Sequence, residues 1–117
     1  MTVQEIRQSL REGRNVYSTA ILAGSTYWLA ICQELDIDFV FIDSEHTPQD
    51  RIQLSWMCHA YNTIGIPAVV RIPSPDPFAA TMMFDGGASG VISPYTETVE
   101  QAQDASHVSK QSEDVLA

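Results

Sequence analysis

The segment Asp43-Ser44-Glu45-His46 sets two carboxylates, a hydroxyl and an imidazole side by side. A histidine that titrates near neutral pH can serve as a general base. An aspartate three residues before it can fix the imidazole tautomer, as triad carboxylates do. The same segment also reads as a solvated polar loop with a helix cap, because D-x-x-H spacing is common. Arg71 is the second candidate, the only Lys or Arg between Arg51 and Lys110, and it follows the apolar run Pro67-Ala68-Val69-Val70. A guanidinium there can grip a carboxylate bidentately. That carboxylate is either a ligand's or a neighbour's, Asp43 or Glu45, and the two readings are compatible.

Other reactive residue types read as structural. His59 follows Trp56, Met57 and Cys58 inside a helical pattern. His107 sits in a polar stretch and reads as solvated. Met82-Met83-Phe84 fits a core better than a binding stripe. Gly86-Gly87 suits a helix end and close packing. Cys32 and Cys58 lie 26 positions apart with no CxxC between them. They read as buried thiols in a reducing compartment, not as a disulfide or zinc site.

The elements that must hold these residues follow from the apolar pattern. Phe39-Val40-Phe41-Ile42 is apolar without alternation, as expected of a parallel strand covered on both faces. Polar residues begin abruptly at its C-terminal end. Strands are predicted over 16–22, 39–42, 67–72 and 91–93. Helices are predicted over 4–12, closed by Gly13, then 26–35, 49–62 opened by Pro48, 78–85, and 96–105 with a threonine cap. A helix followed by four strand–helix pairs is an α/β pattern of parallel strands with right-handed crossovers. A doubly wound sheet and a (β/α)8 barrel both use it. No GxGxxG or GxxxxGK[ST] follows a strand, which weakens a nucleotide-binding reading.

The chain has 117 residues, 44% of them hydrophobic, and a formal net charge of −9. That suits a single globular domain, or part of one. The acidic balance argues against nucleic acid and anionic membranes as partners. No apolar run approaches a membrane span and no signal-peptide core stands at the N-terminus, so a cytoplasmic protein is expected.

Three segments in order, FVFIDSEHTPQD, PAVVRIPSPDP and FDGGASGVISPYTETVEQAQ, carry a more specific signal. Over residues 16–103 the chain resembles the HpcH/HpaI aldolases, metal-dependent class II pyruvate aldolases. The resemblance implies a (β/α)8 barrel and reversible cleavage of 4-hydroxy-2-oxo acids to pyruvate and an aldehyde. It implies a divalent metal, Mg²⁺ or Mn²⁺, that binds the small 2-oxo acid substrate. It makes His46 the acid/base and Asp43 its paired carboxylate. Glu45 is the acid beside them and Arg71 the contact to the 2-oxo acid. Ser44 replaces the glycine of the family's D-G-E-H pattern.

A barrel of this kind needs about 250 residues. This chain is therefore expected to supply the N-terminal half, four βα units after a short helix. Residues 1–105 form the partial aldolase domain and 106–117 a polar tail outside the family pattern. The family's metal ligands lie on later strands, and no acid here matches them, so no metal site is expected within the chain. The expected protein is a truncated lyase-family member without activity of its own. The alternatives are a non-catalytic half-barrel that self-associates as a homo-oligomer, its edge strands being unpaired, or an inactive gene remnant.

Overall fold

Thr2 starts the first helix, α1 (Val3–Arg11). Its hydroxyl accepts the Glu5 N–H while the Glu5 carboxylate accepts the Thr2 N–H, a reciprocal capping box. Gly13, at φ +71°, turns the chain out of α1, and Arg14 N–H closes the end on the Ser9 carbonyl at 2.8 Å. The computed structural model describes residues 1–116, with side-chain surroundings through Lys110.

Four strand–helix units follow: β1 (Ser18–Ile21) and α2 (Tyr27–Glu34), β2 (Phe39–Asp43) and α3 (Arg51–Thr63), β3 (Ala68–Arg71) and α4 (Pro77–Asp85), β4 (Gly90–Ile92) and α5 (Val99–Leu116). All the strands are parallel, in the order β1-β2-β3-β4. This is the expected α/β fold, half the strand complement of a (β/α)8 barrel.

Alternation along the strands divides the sheet into two faces. Val40, Ile42, Ala68 and Val70 have 0% exposure and meet Cys32, Leu54, Met57, Cys58 and Tyr61 from the helices. Phe39, Phe41 and Val69 point to the other face and are only partly buried, and Ile92 on β4 is 39% exposed. The run at 39–42 was expected to be covered on both faces. Among the described residues it is fully covered on one, where α2 and α3 pack against Val40 and Ile42.

Element ends shifted where side chains decide them. α3 begins after Asp50, whose carboxylate accepts the Gln53 N–H at 2.8 Å, so Pro48 precedes the helix and does not open it. α5 begins after Thr98, where Thr98 and Gln101 exchange side-chain-to-backbone bonds. It runs to Leu116, past the end predicted near residue 105. Val108 packs with Ile72 and Ala80 there, an apolar contact that extends the helix. At the close of α4, Gly87 has φ +105°, and a Cβ there would stand 3.0 Å from the His59 ring. His59 thus has a packing role. No described helix is long and apolar enough to cross a membrane.

Candidate functional site

The parallel register of β2 and β3 sets Asp43 directly opposite Arg71 at the C-terminal ends of both strands. Each points to the uncovered face. Arg71 Nη2 donates to Asp43 Oδ2 at 2.7 Å and its Nε to Oδ1 at 3.2 Å, a two-pronged pair. The Arg71 Nε also lies 3.1 Å from Glu45 Oε2, and its guanidinium carbon is 5.3 Å from the centre of the Phe41 ring. One cation therefore holds two carboxylates over an aromatic floor.

The turn after β2 is drawn tight around Asp43. Its Oδ1 accepts the backbone N–H groups of Glu45 at 2.9 Å and His46 at 3.3 Å. Its carbonyl accepts the Thr47 hydroxyl and, at 3.1 Å, the Gln49 amide. The Ser44 hydroxyl and N–H both donate to the Arg71 carbonyl, at 2.6 and 3.1 Å, tying the turn to β3. A glycine at position 44 would supply only the second bond.

The imidazole sits elsewhere than the D-x-x-H spacing suggests. Asp43 takes the backbone of His46, and the ring's Nε2 lies 3.5 Å from Glu45 Oε1. The carboxylate that reaches the ring is that of Glu45, because Asp43 is committed to Arg71 and to the turn. Glu45 is buried, at 8% side-chain exposure, whereas His46 stands at 63%, open to anything on the uncovered face.

Tyr95, just past β4, completes the cluster, and sequence reasoning passed over it. Its backbone holds φ +53°, in the region that side-chain-bearing residues rarely adopt. The Glu45 carboxylate acts on its phenol. Its place after a strand end was the available signal. His107 and the Met82-Met83-Phe84 run belong to other parts of the fold.

The electrostatics follow these contacts. The Arg71 hydrogen bonds hold the Asp43 carboxyl below its ordinary range, against the opposing pull of burial, with the Glu45 and His46 N–H groups adding to the effect. Asp43 in turn pushes the Arg71 guanidinium up. The Glu45 carboxylate raises the Tyr95 phenol. In the core beneath, burial pushes the Cys58 thiol to about 11 and, with Cys32 beside it, the Tyr61 phenol to about 12. Neither group is poised for chemistry near neutral pH.

A divalent cation needs carboxylate oxygens free to bind it. Both site carboxylates face the Arg71 guanidinium, and among the described residues no three His, Cys, Asp or Glu side chains cluster to hold a metal. These residues do not fit such an ion on their own.

The charged cluster lies at the C-terminal ends of parallel strands, the end at which (β/α)8 barrels carry their sites. The model of the HpcH/HpaI aldolase/citrate lyase family matches residues 21–115, and the chain belongs to that family. The hydroxypyruvate/pyruvate aldolase of Roseobacter denitrificans is 28% identical over 98 residues, which cover 84% of this chain and 38% of that protein. The 4-hydroxy-2-oxovalerate aldolase of Rhodococcus jostii is 29% identical over 104 residues, covering 86% and 39%. The crystal structure of an HpcH/HpaI aldolase from Desulfitobacterium hafniense superposes with a TM-score of 0.78 at 22% identity, over 93% of this chain and 41% of that one, a likeness of fold. The chain spans about two-fifths of the length of these relatives.

Proposed function

We propose that this site binds the carboxylate and 2-oxo end of a small 2-oxo acid and serves retro-aldol cleavage of a 4-hydroxy-2-oxo acid. Arg71 is the binding cation, with Asp43 and Glu45 fixing its plane. His46 is the base that takes the 4-hydroxyl proton. The bond between C3 and C4 then breaks, C4 leaves as the aldehyde carbonyl, and the electron pair becomes the enolate of pyruvate. Arg71 stabilises the charge that grows on the enolate oxygen. Protonation at C3 gives pyruvate. The family's divalent metal does not fit the residues present here, and no step is assigned to it. A cytoplasmic setting accords with the two free, buried thiols.

One observation carries this reading: Arg71 and Asp43 stand opposite in register at the strand ends, with the exposed His46 ring held beside them by Glu45. The test is to titrate pyruvate into isotope-labelled protein and follow the backbone resonances. Shifts confined to residues 43–47, Arg71 and Tyr95, and lost in Arg71→Gln, are expected. Shifts elsewhere, or none, would overturn it.

A second reading is a non-catalytic module of the same fold. It is favoured by the commitment of both carboxylates to Arg71. Pyruvate release from a 4-hydroxy-2-oxo acid, assayed with and without Mn²⁺, separates the two.

A further inference from the structure

Ile92 stands in register with Arg71 at the ends of β4 and β3, and the Ile72 N–H donates to the Ile92 carbonyl at 3.1 Å. The chain then turns through Ser93-Pro94-Tyr95-Thr96, where the Thr96 hydroxyl donates to the Ser93 carbonyl at 3.4 Å. Within that turn Tyr95 holds φ +53°, left-handed backbone that suits glycine or asparagine better than a bulky aromatic. Outliers of this kind are costly, persist where the surroundings impose them, and cluster at ligand sites. This one carries a phenol, 64% exposed, to a place where it feels both Glu45 and Arg71. We infer that Tyr95 is a second ligand-binding residue of this site, its hydroxyl donating a hydrogen bond to the carboxylate of a 2-oxo acid that Arg71 holds. The inference deepens the proposed function and rests on it.

The charge of the cluster calls for such a donor. Asp43 and Glu45 both lie against Arg71. Two carboxylates and one guanidinium leave the cluster net negative before His46 is counted. A guanidinium already engaged by two carboxylates offers a third one little net attraction. Neutral O–H or N–H groups must supply the rest of the hold.

The side chains of the turn after β2 are committed elsewhere. The Ser44 hydroxyl donates to the Arg71 carbonyl, and the Thr47 hydroxyl and Gln49 amide donate to the Asp43 carbonyl. The Tyr95 phenol stands instead under the influence of the Glu45 carboxylate, which raises it, so it keeps its proton through neutral pH. Turning that O–H from Glu45 to an incoming carboxylate exchanges one charged acceptor for another. The exchange loses little, and it places a neutral donor beside the Arg71 cation.

Pyruvate titration of the full chain tests this, run in parallel on the native protein, Tyr95→Phe, Arg71→Gln and Tyr17→Phe. Backbone resonances of residues 43–47 report binding at the Arg71 site, and tyrosines isotope-labelled at the phenol carbon report on each hydroxyl. Tyr95→Phe should weaken pyruvate binding about tenfold, the scale of one hydrogen bond to a charged group. Its helical circular dichroism should match the native chain, since an exposed hydroxyl is removed without opening a cavity. Tyr17 is also exposed but lies just before β1, at the other end of the sheet, so Tyr17→Phe should bind as the native chain does. In the native chain the phenol-carbon signal that Tyr95→Phe lacks should move with pyruvate concentration. Those of Tyr17, Tyr27 and Tyr61 should stay in place. A phenol that only braced the rim would not produce that movement. Arg71-dependent binding with Tyr95→Phe at native affinity, or with the Tyr95 signal unmoved, overturns this role and leaves the reading of Arg71 standing. No binding to the native chain, or binding indifferent to Arg71→Gln, overturns both.

Discussion

Val40 and Ile42 are sealed at 0% exposure, while Phe39 and Phe41, alternating with them on the same strand, keep part of their rings in water. The two faces are built from similarly apolar residues. They differ in what lies against them. The helix side is a packed core running from Ile21 to Ala88, whereas the other side has an aromatic floor with an ionic rim. An apolar strand therefore records how many covers it is suited to, not how many it has.

The sharpest way to break this comparison is to truncate one residue on each face. Ile42→Ala should cost about 2–5 kcal/mol, the loss for a buried isoleucine that leaves a cavity. Phe39→Ala should cost about 1 kcal/mol in the dilute chain, although it removes the larger side chain. Urea melts of both variants measure the difference. Equal losses would mean that the second face is covered in solution. A Phe39→Ala cost that grows with protein concentration would tie that cover to association.

The ionic rim should respond to pH where the core does not. Asp43→Asn weakens the pairing to Arg71 and the grip on two N–H groups, a loss of about 1–2 kcal/mol for bonds to a charged acceptor. Asp43's folded pKa lies below its unfolded value of about 3.9. Its contribution is therefore complete above about pH 5 and drains away as pH falls through the folded pKa. Urea midpoints from pH 6 downward should fall more steeply for the native chain than for Asp43→Asn. Parallel curves would show that the pair adds nothing. Ser44→Gly should cost less, about 1 kcal/mol, since only the hydroxyl bond to the Arg71 carbonyl goes while the backbone bond remains.

Much of this site was legible in the sequence. The unbroken apolar runs before Asp43 and Arg71 marked strands, and polar residues at their C-terminal ends marked the rim. The carboxylate partner of His46 was not legible. Asp43 and Glu45 both lie within reach, and the choice depends on how Thr47 and Gln49 fold the turn back onto the Asp43 carbonyl. The length of α5 was hidden for a similar reason. It depends on Val108 meeting Ile72 and Ala80, residues from far along the chain. Tyr95 escaped because its role requires β4 to lie beside β3, a fact of topology that local spacing does not carry.

That hydroxyl yields the smallest expected effect and the most local one. The Tyr95 phenol is raised by the Glu45 carboxylate, which favours its neutral form and beside which ionisation would set a second negative charge. Any stabilisation from this interaction is therefore present below the unfolded tyrosine pKa of about 10. It is lost as pH rises through the folded value. Glu45→Gln removes the repelling charge, so Tyr95 should titrate at lower pH in that variant. Ultraviolet difference titration follows tyrosinate formation directly. Tyr95→Phe identifies which of the four tyrosines moved, because the shifted component should vanish from its curve. Tyr61, buried and pushed to about 12, should be unmoved by either change, since it sits in the helix-side core with Cys32. A Glu45→Gln curve that overlays the native one would detach Tyr95 from the rim. A curve in which Tyr61 moves as well would mean that the two faces of the sheet are coupled, contrary to the separation between a sealed core and an open ionic edge.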